Sequence, residues 1–251
     1  MAATDESTRI MINMKQQQPS RQVSDSLIAR AKRILKTEGL ASLAGRALKY
    51  LRRRLFLYEN VYLYEYIMQE RNEAEYIPKT QGFTLKVIST NRQADEIASE
   101  GFDDIRNYPV MVNVRRCLDK GAIAFCLFVG WELAHIGFVA MNEEAKNTFD
   151  TLPYRVDFAH GQACTGGTVT LPKYRGNGFM AYGYFKRLEF LREKGYKTSR
   201  NSVAADSKVS KRVHAKFDPK IYARARFLRV ARWKFWKEVP YFPITSDILQ
   251  N

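Results

Sequence analysis

The residues best spaced for chemistry run Thr168-Val169-Thr170-Leu171-Pro172-Lys173-Tyr174-Arg175-Gly176-Asn177-Gly178-Phe179-Met180. A β-branched run ends at a proline, and two glycines follow with one residue between them. From Phe179 the pattern turns helical, with Tyr182, Phe185, Leu188 and Leu191 near a three-to-four-residue spacing, until Lys194-Gly195. The stretch reads as a strand, a tight loop and a helix start. Unpaired N–H groups and the helix dipole at such a start suit a phosphate or pyrophosphate. Lys173 and Arg175 add formal charge. Taken alone, the same stretch equally describes an ordinary strand-to-helix turn that uses glycine for its φ.

Other reactive side chains are few. The histidines are His135, His160 and His214, and the cysteines Cys117, Cys126 and Cys164. None has metal-ligand spacing, so no metal site is expected. His160 starts a strand and has the unperturbed range of a general base, although an exposed structural histidine fits there too. Cys164 could be a nucleophile only beside a base, and a buried core cysteine is the expectation. His135 falls inside an apolar hairpin and reads as structural.

The elements that must position these residues come from a chain of 251 residues with 45% hydrophobic content, enough for a sizeable core. Its net charge of +15 implies anionic partners. Ten Lys/Arg lie in 21–54 against Asp25 and Glu38, and eleven in 208–237 against Asp218. No nucleic-acid recognition motif accompanies them, and a nucleic-acid partner is not expected. Met1-Ala2-Ala3-Thr4-Asp5-Glu6 lacks the order of a signal peptide, and scattered, odd-numbered cysteines suit a reducing compartment. The expectation is cytoplasmic, with a membrane-peripheral place open.

Residues 1–23 read as a disordered tail, and 24–78 as a basic amphipathic helical extension. Its first helix carries Leu27, Ile28, Ala31, Ile34 and Leu35, and its second Leu40, Leu43, Ala47, Leu48 and Leu51. The tyrosine-rich segment with Tyr58, Tyr62, Tyr64 and Tyr66 is assigned to helix. The basic stretch 24–57 could lie on an anionic membrane, or pack on the rest of the chain or a second copy.

A compact domain over 79–251 follows. Phe83–Ile88 alternates as a strand, and Asn91–Ile105 and Val110–Leu118 read as helical. Ala122–Met141 is apolar for about the length of a membrane span. Glu132, His135 and the turn at Gly130-Trp131 make it a β-hairpin instead. Residues 142–158 look loop-like. Gly161–Leu171 is a strand in which Gly166-Gly167 suggests a bulge. After the glycine loop and its helix come a strand at Tyr196–Val203, a helix at Asp206–Lys216 and strands at Ile221–Val230 and Val239–Pro243. The expected fold is α/β (α+β), with helices on both faces of a mixed sheet.

This order, with a glycine loop after the fourth strand, resembles the GNAT superfamily of acyl-CoA N-acyltransferases over about residues 82–235. Arg175-Gly176-Asn177-Gly178-Phe179-Met180 is similar to that family's R/Q-x-x-G-x-G/A pyrophosphate loop, with Met180 where Gly or Ala is usual. Downstream, Val203, Ser207, Ser210 and His214 keep the spacing of a second family signature. Ser207 and His214 stand for its Asn and Tyr there, and Asp218-Pro219 for a Gly-Phe.

The resemblance implies a mostly antiparallel central sheet and transfer of an acyl group, acetyl in the first place, from acetyl-CoA or another acyl-CoA to an amine acceptor. A non-catalytic scaffold that binds CoA, nucleic acid or an anionic membrane is the alternative. Backbone groups from Arg175 to Met180 would hold the pyrophosphate, and Val169 and Leu171 the pantetheine arm, with Ser207 and Ser210 nearby. His160 is the candidate base, and His214 either contacts the thiolate or is a solvated helix residue. Arg224, Arg226 and Lys220 could rim the acceptor pocket, and part of the basic cluster 208–237 could meet the CoA 3′-phosphate or an anionic substrate.

Overall fold

The computed structural model describes residues 56–108 and 112–241. The expected tail at 1–23 and helices of 24–55 lie outside the described residues. Among the described residues there are eight strands, most of them alternating or continuous apolar runs: β1 (Phe56–Ile67), β2 (Phe83–Ile88), β3 (Ile123–Val129), β4 (Glu132–Ala140), β5 (Gln162–Thr170), the largely polar β6 (Thr198–Ala204), β7 (Lys220–Val230) and β8 (Trp233–Pro240). The helices are α1 (Asn91–Ser99), α2 (Val114–Asp119), α3 (Glu143–Phe149), α4 (Phe179–Glu193) and α5 (Lys208–Ala215).

The strands form one sheet in the order β2-β3-β4-β5-β6-β1-β7-β8, and every pair is antiparallel except β5 with β6. The mixed, mostly antiparallel sheet flanked by helices is therefore present as expected. Ala122–Met141 is the expected hairpin, and among the described residues no helix is long and apolar enough to cross a membrane.

Several expectations are corrected: the last strand is Trp233–Pro240, not Val239–Pro243, and the helix expected over Asn91–Ile105 ends at Ser99. The tyrosine-rich segment is strand β1, not helix, and it sits between β6 and β7. Its residues obey period two: Val61 and Leu63 join the core that holds α1, α2 and α3, while Tyr64 and Tyr66 join the core under α4. The sheet unit therefore begins at Phe56, inside the stretch assigned to the helical extension. Each fully buried side chain, such as Leu63, contributes roughly 1.5–3 kcal/mol to holding it there. The stretch 142–158 also contains a helix, α3. Asn142 accepts from the Ala145 N–H, and Glu143 and Glu144 suit the positive end of the helix.

Candidate functional site

The parallel contact between β5 and β6 spans three residue pairs, Gln162–Cys164 against Thr198–Arg200. Beyond it β5 continues to Thr170 and β6 to Ala204, with no pairing between them. The bend has a local cause. Ile136 pairs with Val169 and Phe138 with Gly166, so Gly167 and Thr168 together oppose Gly137. Gly167 has φ +56, and a Cβ there would lie 2.8 Å from the Phe138 ring. The expected bulge is present, and it opens a wedge inside the sheet. An unpaired strand edge in such a wedge can bind an extended, amide-bearing chain by backbone hydrogen bonds.

The glycine loop stands at the open end of that wedge. Gly176 and Gly178 have φ +82 and +91, values that favour glycine. Gly178 begins α4 without any side-chain cap, whereas Thr90, Asn113, Asn142 and Ser207 cap the other four described α-helices. Among the described residues the N–H groups of Gly176, Asn177, Gly178, Phe179 and Met180 have no acceptor. Five adjacent donors at a helix start form a site for an anion. The segment before β2 packs beside the loop, where Lys79 donates its N–H to the Asn177 carbonyl at 3.0 Å.

Formal charge is supplied less directly than the spacing suggests. Lys173 Nζ lies 2.6 Å from Glu132, which also accepts from Tyr174 Oη at 2.7 Å. Arg175 donates from Nε to the Thr170 carbonyl at 3.2 Å and remains exposed. Leu171 uses both backbone groups internally, donating to Ala134 and accepting from Tyr174. Val169 pairs with Ile136 of β4, so the bulge residues Gly167 and Thr168 are the freer part of this edge. Ser207 accepts from the Ser210 N–H and donates to Ser210 Oγ at 2.8 Å, which makes the pair the cap of α5.

Neither candidate histidine is in place to act as a base in the wedge. The exposed His160 pairs with Asp157 at 2.9 Å, before β5 begins and on the closed side of the β5–β6 contact. His214 is buried, with Nδ1 2.7 Å from Tyr66 Oη and its ring stacked on Tyr64. Burial, then the Arg187 charge, pushes it down to about 3, so it is neutral at physiological pH. It is not a solvated helix residue. Cys164 is buried as expected, and burial pushes its thiol up to about 12.

Beneath the bulge lies a cation that sequence reasoning passes over. Arg187 of α4 is completely buried and meets no carboxylate among the described residues. Its Nη1 donates to Gly166 O at 3.3 Å and Thr168 Oγ1 at 3.1 Å, and its Nε donates to Gly183 O at 3.0 Å. Burial lowers its pKa to about 10, which leaves it charged near neutrality.

A cavity of about 290 Å³ occupies the wedge, bounded by Gly166–Val169, Ser202, Glu59, Val112 and the segment Phe149–Leu152. A second, of about 390 Å³, adjoins it and shares Glu59, Leu152 and Ser202. Glu59 and Asp150 thus border the wedge, and sequence reasoning missed both. The signal for Glu59 was its alternation with Val61 and Leu63 in a segment assigned to helix. Arg224, Arg226 and Lys237 line a third cavity of about 240 Å³, which shares Asn60, Val61 and Ala205 with the second. Of the basic rim expected at 220–226, that is where Arg224 and Arg226 gather. No cluster of metal-ligating side chains occurs among the described residues.

No known family profile matches the chain, and no curated protein does. Among solved structures it is similar to a functionally unknown conserved protein from Staphylococcus epidermidis, with 12% identity, 73% of this chain and 66% of that one covered, and a TM-score of 0.43. A tandem GNAT protein from the clavulanic acid biosynthesis pathway gives 16% identity, 74% and 55% coverage, and 0.44. A GCN5-related N-acetyltransferase from Sphaerobacter thermophilus gives 14%, 80% and 59%, and 0.42. The chain spans between about half and two thirds of the length of these proteins.

Proposed function

We propose that the chain is a GNAT-like acyl-CoA-dependent N-acyltransferase that moves an acyl group, acetyl in the first place, to a primary amine within one ternary complex. The observation that carries this reading is the start of α4. It is the one described α-helix without a side-chain cap, and five successive N–H groups there lack an acceptor at the mouth of an unpaired wedge. A pyrophosphate needs such donors, and an amide-bearing arm needs such an edge.

The N–H groups of Gly176 to Met180 would hold the CoA pyrophosphate, and the free edge of β5 around Gly167 and Thr168 would orient the arm. The thioester supplies an activated acyl carbon. Arg187 fixes the bulge through Gly166 and Thr168, and its buried positive charge favours negative charge developing nearby.

Thermal unfolding with acetyl-CoA, against pantetheine as the fragment lacking pyrophosphate, tests the reading. Saturating acetyl-CoA at about 100 times its Kd should stabilise the chain by about 2.7 kcal/mol, and pantetheine far less. No stabilisation by millimolar acetyl-CoA would overturn it.

A further inference from the structure

Two carboxylates border the wedge, and their surroundings differ. Asp150, at the end of α3, accepts from Tyr154 Oη at 2.8 Å, Ser202 Oγ at 2.8 Å and the Leu152 N–H at 3.1 Å. Those donors anchor it. Glu59, on β1, is half-buried at the junction of the two wedge cavities, and its carboxylate has no hydrogen bond or ion pair among the described residues. Burial, then the Asp150 charge, holds it above the ordinary carboxylate range, while Arg229 on β7 opposes them. The wall beside them is apolar, made by Leu152, Phe149 and Val112.

Resting on the acyltransferase reading above, we infer that Glu59 is the general base of this site, and that Glu59 and Asp150 together select a primary alkylammonium carrying no carboxylate beside its nitrogen. Such an amine is protonated at neutral pH, with an ordinary value of about 10.4, and is not a nucleophile until it loses a proton. Asp150, held by its three donors, serves as an electrostatic anchor for the cation. Glu59, with no competing donor, takes one proton. The neutral nitrogen adds to the thioester carbonyl carbon, the C–N bond forms and the C–S bond breaks. The sulfur leaves as thiolate and takes up the second nitrogen proton, and Glu59 returns its proton to water. The overall change is ammonium plus acyl thioester to amide, thiol and one proton. A carboxylate on the carbon next to the amine would bring a third negative charge against Glu59 and Asp150, which disfavours α-amino acids.

The test uses the full chain, acetyl-CoA, and a panel in which butylamine and spermidine are compared with glycine and alanine, followed by thiol release. Transfer to the alkylamines should exceed transfer to the amino acids at least tenfold. Glu59→Gln should lower kcat/KM about 100-fold or more at neutral pH and remove the acidic limb of the pH profile, while Glu59→Asp keeps that limb. Acetyl-CoA should stabilise wild type and Glu59→Gln equally, which shows that the variant is folded. Wild-type rate and pH profile in Glu59→Gln would overturn the inference. So would preference for the amino acids, or an acetyl-CoA-bound wild type that acylates no alkylamine. Failure of the acyltransferase reading looks different, because the wild type then gains no stability from acetyl-CoA.

Discussion

Arg187 Nη1 lies 3.3 Å from the carbonyl oxygen of Gly166, so a buried guanidinium holds the bulge that opens the sheet. The arrangement depends on a glycine opposite the bulge. A Cβ at Gly137 would fall 2.7 Å from Arg187 Cζ, inside the contact limit of real side chains. Gly137→Ala must displace the guanidinium within a packed interior, at a cost of about 1–3 kcal/mol. Urea unfolding checks this, and a midpoint equal to wild type contradicts it. The displaced Arg187 should also loosen the Gly166 carbonyl and weaken acetyl-CoA stabilisation.

The same charge acts on two histidines. Burial, then Arg187, pushes both His135 and His214 down to about 3. In the unfolded chain each protonates near its ordinary 6.5, so between these values the unfolded state binds more protons. The stability that neutral burial provides is full above about pH 6.5 and is lost as pH falls towards 3. At pH 5 the loss is about 2 kcal/mol for each ring. Urea midpoints at pH 7 and pH 5 should differ accordingly. Replacing His214 by Gln should remove about half of the difference, and an unchanged pH dependence would refute this account.

At the anion site, backbone strain can be separated from ligand binding. Gly178 has φ +91, and its Cβ would lie 3.4 Å from Pro78 Cα, so Gly178→Val is strained and crowds the donors. Gly195 has φ +79 and open space around it, at the far end of α4. Gly195→Ala should cost about 1–2 kcal/mol and leave acetyl-CoA affinity intact. Gly178→Val should cost a similar amount or more and abolish the affinity. Isothermal titration of both variants decides, and equal affinity in the two would sink the role given to the loop.

Much of this architecture is legible in the amino-acid sequence because local signals agree with the final fold. Thr168 to Met180 reads as strand, loop and helix, and Gly166-Gly167 marks the bulge. The hairpin is betrayed by Glu132 and the Gly130 turn. What escapes has physical causes. β1 comes first among the strands yet lies between β6 and β7, a pairing of residues far apart that no local period encodes. Its tyrosines obscure the alternation of Leu57, Glu59, Val61 and Leu63, and so the carboxylate in the wedge goes unseen. Asn142-Glu143-Glu144 is a helix start, hidden by the polar, proline-containing stretch that follows. His160 and His214 attract notice by residue type, whereas their use depends on burial and partners that only folding creates.

The place of β1 makes its own prediction. Val61, Leu63, Tyr64 and Tyr66 are buried, Glu65 Oε2 meets Arg200 Nε at 2.7 Å, and the strand pairs on both sides. The described residues from Phe56 to Tyr241 belong to one compact unit. A chain lacking residues 1–55 should unfold cooperatively within a few degrees of the full chain, whereas one lacking 1–67 should lose the transition altogether. If the ten Lys/Arg of 21–54 lie on an anionic membrane, rather than packing on the rest of the chain or a second copy, each cation near the surface contributes about 1 kcal/mol. Co-sedimentation with phosphatidylserine vesicles should therefore disappear with residues 1–55 and fall with added salt. Binding that persists in the shortened chain would move the contact to the second basic cluster, around Arg224, Arg226 and Lys237.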